Sequence, residues 1–360
     1  MIARLFTQAP ERKDKNGGHI KTALHFALAF LLAGFILNGL LYGYYKRPPK
    51  IDVEAGTDKI WGKNSVIIDR TEGFGTVRTD SNGYNNTFVP SDADNYILLM
   101  GSSHTQAINV NQDQNYAYLL TERLREAGMN ELVYNIGFDG NDFLAIIEHF
   151  GAAMEQFHDS DAVIVEIYKL DYSPDALRAA LERRTSYDPS AGHSGLSVQT
   201  KALNFAQSLP LVRLAHSRIS SLRLSIKNAF TVKQPRTANP APLDTEAYRV
   251  AVFEIISEMK LQAGGKPLIL LYNSLVRLNS SGELVPEPWD EQLSALTWAC
   301  AENNVHFHDM TDTYIKLFTE KNTAAFGFIN AKAAEGHLNP AGHRAVADDL
   351  LVVVANALTG

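Results

Sequence analysis

From Asn95 onward the chain alternates short apolar runs with segments of helical period, and that alternation constrains the fold more than any other feature. NYILLM (95–100), ELVYNIG (131–137), DAVIVEIY (161–168), KPLILLYNS (266–274) and NVHFHDM (304–310) have strand length and near-continuous apolar character. Between and after them, helical spacing runs over about 116–127, 143–156 and 341–357. Strands buried on both faces and separated by helices imply a parallel sheet covered on both sides. The expected fold is therefore a doubly wound, flavodoxin-like α/β domain with a five-stranded parallel sheet. We place it at 95–358, with an insertion at about 172–245 between the third and fourth strands.

Ahead of this domain, His25–Tyr45 carries no Asp, Glu, Lys or Arg. At about 1.5 Å per residue, such a segment crosses a hydrocarbon core of about 30 Å. Tyr42, Tyr44 and Tyr45 sit at one end as interfacial aromatics do, and Lys46, Arg47 and Pro48-Pro49 close it. We read 1–24 as a tail, 25–45 as an uncleaved transmembrane anchor and 46–94 as a linker with a β-hairpin extension turning at Asn82-Gly83. Arg4, Arg12, Lys13, Lys15 and Lys21 before the segment outnumber Lys46, Arg47 and Lys50 after it. This favours a cytoplasmic N-terminus and an extracytoplasmic domain, single-pass in the inner membrane.

The net charge of −7 gives no reason to expect a nucleic-acid partner. The single cysteine, Cys300, lies at apolar helical spacing and reads as a core side chain. Pro189 to Leu243 contains no Asp or Glu but seven Lys and Arg residues. Within it, LPLVRLAHSRISSLRLSIKNAF (209–230) reads either as a helical lid or as a basic amphipathic surface for anionic headgroups or an anionic polymer. No metal-ligand cluster or phosphate-binding glycine loop stands out, so no cofactor is expected.

Ligand sites in open α/β sheets form at the carboxyl ends of the strands. Gly101-Ser102-Ser103-His104-Thr105 follows the first strand, and Asn135 to Asp142 follows the second. Glu335-Gly336-His337-Leu338-Asn339 precedes the last helix. A serine hydroxyl needs a base, an orienting partner for that base, and donors aimed at the developing oxyanion. Ser103 opens a strand-to-helix turn, so its own N–H can face the site; Gly140 can bring a second N–H close. His337 is the base candidate and Glu335 its acidic partner. Ser102 is the alternative nucleophile, while Ser103 could serve only as a helix cap.

These three blocks, in this order, resemble the SGNH (GDSL-like) hydrolase superfamily. Ser103 matches the family's nucleophilic serine, with Ser102 where Asp is often found. Asn135 and Gly140 match the spacing of its second block. His337, with Asn339 and Gly342 behind it, matches its last block. Two departures stand out: Leu170 occupies the place of the family's third-block Asn, and Ala334 lies three residues before His337 where an acid is common. Asn141 and Asn273 are then candidate replacements for the missing oxyanion donor, and Ser102, His104, Asn135, Asn273 and Asn339 are candidate substrate contacts.

The resemblance implies an acyl-enzyme esterase. Its expected substrate is an acyl, notably acetyl, ester of an envelope polysaccharide or lipid, and its expected surroundings are the membrane and envelope-biosynthesis partners. An O-acyltransferase and a non-catalytic glycan-binding protein are the alternatives.

Overall fold

The computed structural model describes residues 15–48, 50–52, 59–184, 209–212, 214–215, 219, 243–332 and 334–359. The basic tail before Lys15 and most of the 172–245 insertion, including 15 of the 22 residues of its basic amphipathic segment, lie outside the described residues.

The five apolar runs form one parallel sheet. Its strands are β6 (Tyr96–Met100), β7 (Leu132–Asn135), β8 (Ala162–Ile167), β9 (Leu268–Tyr272) and β12 (His306–Asp309). They pair in the order β12-β9-β8-β6-β7, every pair parallel. The first strand thus lies inside the sheet and the order reverses beside it, as the flavodoxin-like expectation requires. Alternation of side chains along each strand divides the core. Leu98, Met100, Val163, Val165, Leu268 and Leu270 face one side, which is covered by α4 (Phe143–Gln156), α5 (Pro174–Glu182), α6 (Thr245–Gln262) and α7 (Asp290–Glu302). Ile97, Leu99, Ile164, Ile269 and Leu271 face the other, covered by α3 (Tyr116–Glu126), α8 (Thr311–Lys321) and α9 (Pro340–Thr359). Cys300 lies in the first of these cores, where burial pushes its thiol up to about 12.

The apolar N-terminal segment is helical from Lys15 to Leu41, as α1. Its stretch Lys21–Leu41 is long and apolar enough to cross a membrane, and none of that stretch is buried in the protein. The apolar helix ends at Leu41, before the expected Tyr45, because the chain there has already joined a sheet. Tyr45–Lys46 (β1) pairs antiparallel with Ile68 and Asp69 of β4 (Val66–Asp69), and β4 pairs with β5 (Gly75–Arg78). Tyr45 is buried with the Arg47 guanidinium over its ring, not laid in an interface. Lys50–Asp52 (β2) pairs separately with Lys59–Trp61 (β3), and Val276–Leu278 (β10) with Leu284–Pro286 (β11).

The hairpin turn also differs from expectation. Asn82-Gly83 forms a turn closed on Asp80, but the two strands of the hairpin are β4 and β5, joined by 70–74. That joining turn is held from below by Asp69, which is fully buried. One carboxylate oxygen accepts the Thr71 N–H and hydroxyl, and the other receives the Arg47 guanidinium. Removing one partner of a buried pair leaves an uncompensated charge, which costs about 3–5 kcal/mol. Asp69→Ala is expected to lower stability by about 3 kcal/mol in denaturant unfolding of the detergent-solubilised chain. A change below about 0.5 kcal/mol, the level of an ordinary surface substitution, would show the pair to be dispensable.

Candidate active site

Strand β6 runs directly into α2 (Ser103–Gln106), and the turn between them has no room for a side chain at Gly101. A Cβ there would lie 2.0 Å from Thr105 Oγ1 and 2.6 Å from Glu166 Oε2. Ser102 is the N-cap. Its hydroxyl accepts the His104 N–H at 3.2 Å, and its own N–H donates to Glu166 at 2.7 Å. Ser103 is thereby the first residue of the helix. In that position its N–H has no acceptor within the helix.

The Ser103 hydroxyl lies 3.0 Å from His337 Nε2, and Nδ1 of the same ring lies 2.7 Å from a carboxylate. That carboxylate belongs to Glu72, not Glu335. Glu72 comes from the β4–β5 turn, 265 residues away in sequence, and its second oxygen accepts the His337 backbone N–H at 2.7 Å. Glu335 instead pairs with Lys332 on the surface, which corrects the role expected of it. The reason is visible at Gly336: a Cβ there would sit 2.1 Å from Glu72 Oε1, and its φ of 89° is one that glycine adopts without strain. The glycine before His337 makes the space through which a distant acid enters. Partial burial opposes ionisation of Glu72, but the hydrogen bonds and charge of His337 outweigh it and hold the carboxyl below its ordinary value.

The Glu72 turn is itself gripped from both sides. Asn109 donates its side-chain amide to the Glu72 carbonyl at 2.9 Å. Asn330 accepts the Gly73 N–H and donates to the carbonyls of Arg70 and Gly73.

Of the oxyanion candidates, Gly140 has a φ of 96° and open space where a side chain would be. Its loop packs on the serine turn, since the Phe138 N–H donates to the Gly101 carbonyl at 3.0 Å. The backbone N–H of Asn141 goes to the Phe138 carbonyl, which leaves only its side chain to donate. Leu170 is buried in the core, so the family's third-block donor has no counterpart at that position.

The expected substrate contacts divide. His104 lines a cavity of about 320 Å³ beside His337, together with Tyr168, Val276, Arg277 and Phe326. The other four are buried or half-buried and committed within the protein, a correction to the roles expected of them. Ser102 is the cap. Asn135 binds the Thr105 carbonyl and the Gly137 N–H. Asn339 caps α9 through Ala341 and Gly342. Asn273 donates to Glu166 at 3.1 Å and accepts the Tyr314 hydroxyl at 2.5 Å.

Two further histidines stand near the site. His104 Nδ1 accepts the Leu338 N–H, and burial, followed by the charges of His337 and His343, pushes its pKa well below the ordinary value. His343 stacks on Tyr116 and accepts the Tyr116 N–H; burial, with His337 adding to it, pushes it down to about 3. Both stay neutral at pH 7, so neither opposes a positive charge on His337.

Sequence reading did not reach Glu166, which is fully buried beneath the serine turn. Burial raises its pKa, while hydrogen bonds from Ser102, Asn273 and Thr105 oppose that shift. Each of these contacts is donated to the carboxylate. A glutamine there would turn an NH₂ group toward a donor and orphan one bond, at about 1–3 kcal/mol. Glu166→Gln is expected to fold with a lower Tm in thermal denaturation; a Tm equal to wild type would show that the carboxylate does not hold the turn. Glu72 gives a pH signature. Because its folded pKa is depressed, its charge stabilises the fold above about pH 5, and this contribution is lost as pH falls through the folded value. Between about pH 6 and pH 3, wild type should lose Tm more steeply than Glu72→Gln.

No protein-family model matches the chain, and no curated protein matches it. Among solved structures, it is similar to the psychrotrophic esterase EstA from Pseudoalteromonas sp. (12% identity, 74% of this chain and 100% of that one, TM-score 0.38). It is also similar to a two-domain esterase active on acetylated mannans (14%, 74% and 50%, TM-score 0.41). A third is a putative GDSL-like lipase from Parabacteroides merdae (14%, 73% and 96%, TM-score 0.41). Likeness at this level leaves the chemistry to the geometry of the site itself.

Proposed function

We propose that the chain is a serine-dependent ester hydrolase of SGNH type, working through an acyl-enzyme on acyl esters of an envelope polysaccharide or lipid. The observation that carries this reading is the unbroken line from Ser103 Oγ through both ring nitrogens of His337 to Glu72. In it, Glu72 fixes the tautomer that carries its proton on Nδ1, leaving Nε2 to accept the serine proton. Ser103 attacks the ester carbonyl as its proton passes to Nε2. The developing oxyanion is met by the N–H groups of Ser103 and Gly140, at the positive end of α2. Collapse breaks the bond to the alcohol, which leaves with the proton from His337. Water, deprotonated by His337, then attacks the Ser103 ester; the acid is released as the serine oxygen leaves and takes back the proton from Nε2.

The binding-only alternative drew its support from Leu170 and Ala334; Glu72 supplies the acid lacking at Ala334, while Leu170, buried in the core, still leaves that position without an oxyanion donor. The cavity beside His337 is of a size for a short acyl group and its neighbouring atoms. Its wall of Tyr168, Val276 and Phe326 suits an apolar acyl chain, with Arg277 at the edge.

Turnover of p-nitrophenyl acetate by the full chain in detergent tests the reading. Ser103→Ala and His337→Ala are each expected to reduce kcat by about 10³-fold or more, and Glu72→Gln by about 10²–10⁴-fold. Glu335→Gln is expected to stay within about twofold, as an exposed ion pair contributes little. A wild type without turnover, whose Ser103 also fails to react with a serine-directed phosphonate, would refute the proposal. Capture of the acyl group by an added sugar faster than by water would make the protein a transferase working through the same acyl-enzyme.

A further inference from the structure

The proposed site is joined to the end of the apolar helix by a short path of chain and hydrogen bonds. The Lys21–Leu41 stretch of α1 is about 30 Å long, the thickness of a hydrocarbon core. Only Tyr42, Gly43 and Tyr44 separate it from β1, which is already hydrogen-bonded to β4. The Arg70 side chain donates to the Gly43 carbonyl at 3.4 Å. Glu72 is two residues further on, at most about 7 Å of chain. Its carboxylate holds His337, so by this path the reacting atoms lie within about 35 Å of the helix end. No long tether lets the domain swing away.

The surface at this place is apolar. Phe74 is 50% exposed on the Glu72 turn, and Ile329 is 94% exposed on the loop that Asn330 ties to that turn. Tyr42 and Tyr44 are exposed on the connection to the helix. Single exposed apolar residues are ordinary, but these collect around the exit of a helix able to cross a membrane. Arg70 lies among them, as basic residues do beside anionic headgroups, while Lys332 nearby is paired with Glu335. The insertion returns to the same end, since the Leu211 N–H donates to the Asn38 side chain in the last turn of α1.

We propose that the 70–74 turn and the 328–332 loop rest on the bilayer surface, and that the substrate is an amphiphilic ester held in that bilayer. A polymer free in bulk solution is not the substrate. This substrate class rests on the ester-hydrolase reading; the docking surface does not.

The test uses the full chain in liposomes of phosphatidylcholine and phosphatidylglycerol. For the surface, Ile329→Cys is labelled with an environment-sensitive fluorophore; Cys300 is buried and stays unlabelled. Quenching by lipids with a nitroxide near the headgroup is expected at Ile329, and none at Leu261→Cys, an exposed position at the end of α6, where the chain enters the sheet at the end opposite the site. Equal quenching at both positions, or none at either, would overturn the surface. For the substrate, turnover of a long-chain acetyl ester dissolved in the liposomes is compared with that of p-nitrophenyl acetate. Ile329→Glu should reduce the first about tenfold or more and leave the second within about twofold. Parallel changes in both substrates would overturn the bilayer-borne substrate. Absence of both activities in wild type would refute the ester-hydrolase reading and the substrate with it, while the quenching result stands separately.

Discussion

The carboxylate of Glu72 meets His337 twice, one oxygen at the ring and the other at the backbone N–H of the same residue. A bond to the ring alone would orient the imidazole and leave the loop that carries it free to move. The second bond fixes the loop, so ring and main chain are held by one rigid group. It also makes the N-terminal sheet part of the site, because the acid arrives on the β4–β5 turn while serine and histidine arrive at either end of the parallel-sheet domain. The glycines around it follow from that demand. Gly336 has no side chain because a carboxylate passes there. A Cβ at Gly73 would strike the Asn109 carbonyl at 2.2 Å, and one at Gly75 the Ile108 carbonyl at 2.0 Å.

What the sequence made legible, and what it hid, divides along the same line. Strand length, apolar continuity and helical period are local properties, and they predicted the five strands to within a few residues and the sheet that joins them. Ser103 and His337 were legible because each sits in a local block at a strand end or before a helix. Glu72 was not. Its surroundings, TEGFG, fell inside the 46–94 linker and extension with nothing to single them out, and pairing it with a histidine 265 residues away requires the tertiary structure. Glu335 was the acid nearest to His337 in sequence, but proximity along a chain says nothing about direction, and Gly336 between them turns Glu335 outward to Lys332. Asn135, Asn273 and Asn339 were misread for a related reason. A polar residue near the site can face the ligand or satisfy groups of the protein itself: Asn135 and Asn339 bind backbone, and Asn273 binds the Glu166 and Tyr314 side chains.

Beneath Ser103 the protein spends polar groups where apolar ones would be simpler. The Thr105 hydroxyl lies 2.5 Å from that of Tyr116 and 3.0 Å from Glu166, while Asn273 links the other carboxylate oxygen to Tyr314. A buried network of this kind is costly when any member is unpaired and rigid when all are satisfied. Rigidity is what a strand-to-helix turn needs if one hydroxyl is to stay within hydrogen-bond reach of a base. The neutral histidines serve the same end electrically: His104 and His343 bring ring nitrogens to bond backbone N–H groups without bringing charge.

The path from the apolar helix to the base is continuous in hydrogen bonds and short in chain. β1 leaves the helix and pairs with Asp69; Arg47, one residue beyond β1, binds the Asp69 carboxylate; Asp69 holds Thr71; and Glu72 follows. A displacement of the helix end relative to the sheet would therefore reach the Glu72 carboxylate through a buried ion pair and a tight turn, with no flexible segment to absorb it. An enzyme acting on bulk solutes also needs the Glu72 turn held, but a loose linker between helix and sheet would serve it as well. For an enzyme whose substrate approaches from the bilayer, the same connection sets the height of the site above the membrane. Height is then a condition of reaction, because the scissile ester must meet Ser103 while the rest of its molecule stays in the lipid. Under the proposal of a bilayer-borne substrate, the Arg47–Asp69 pair, remote from the chemistry, is a determinant of reach as well as of stability.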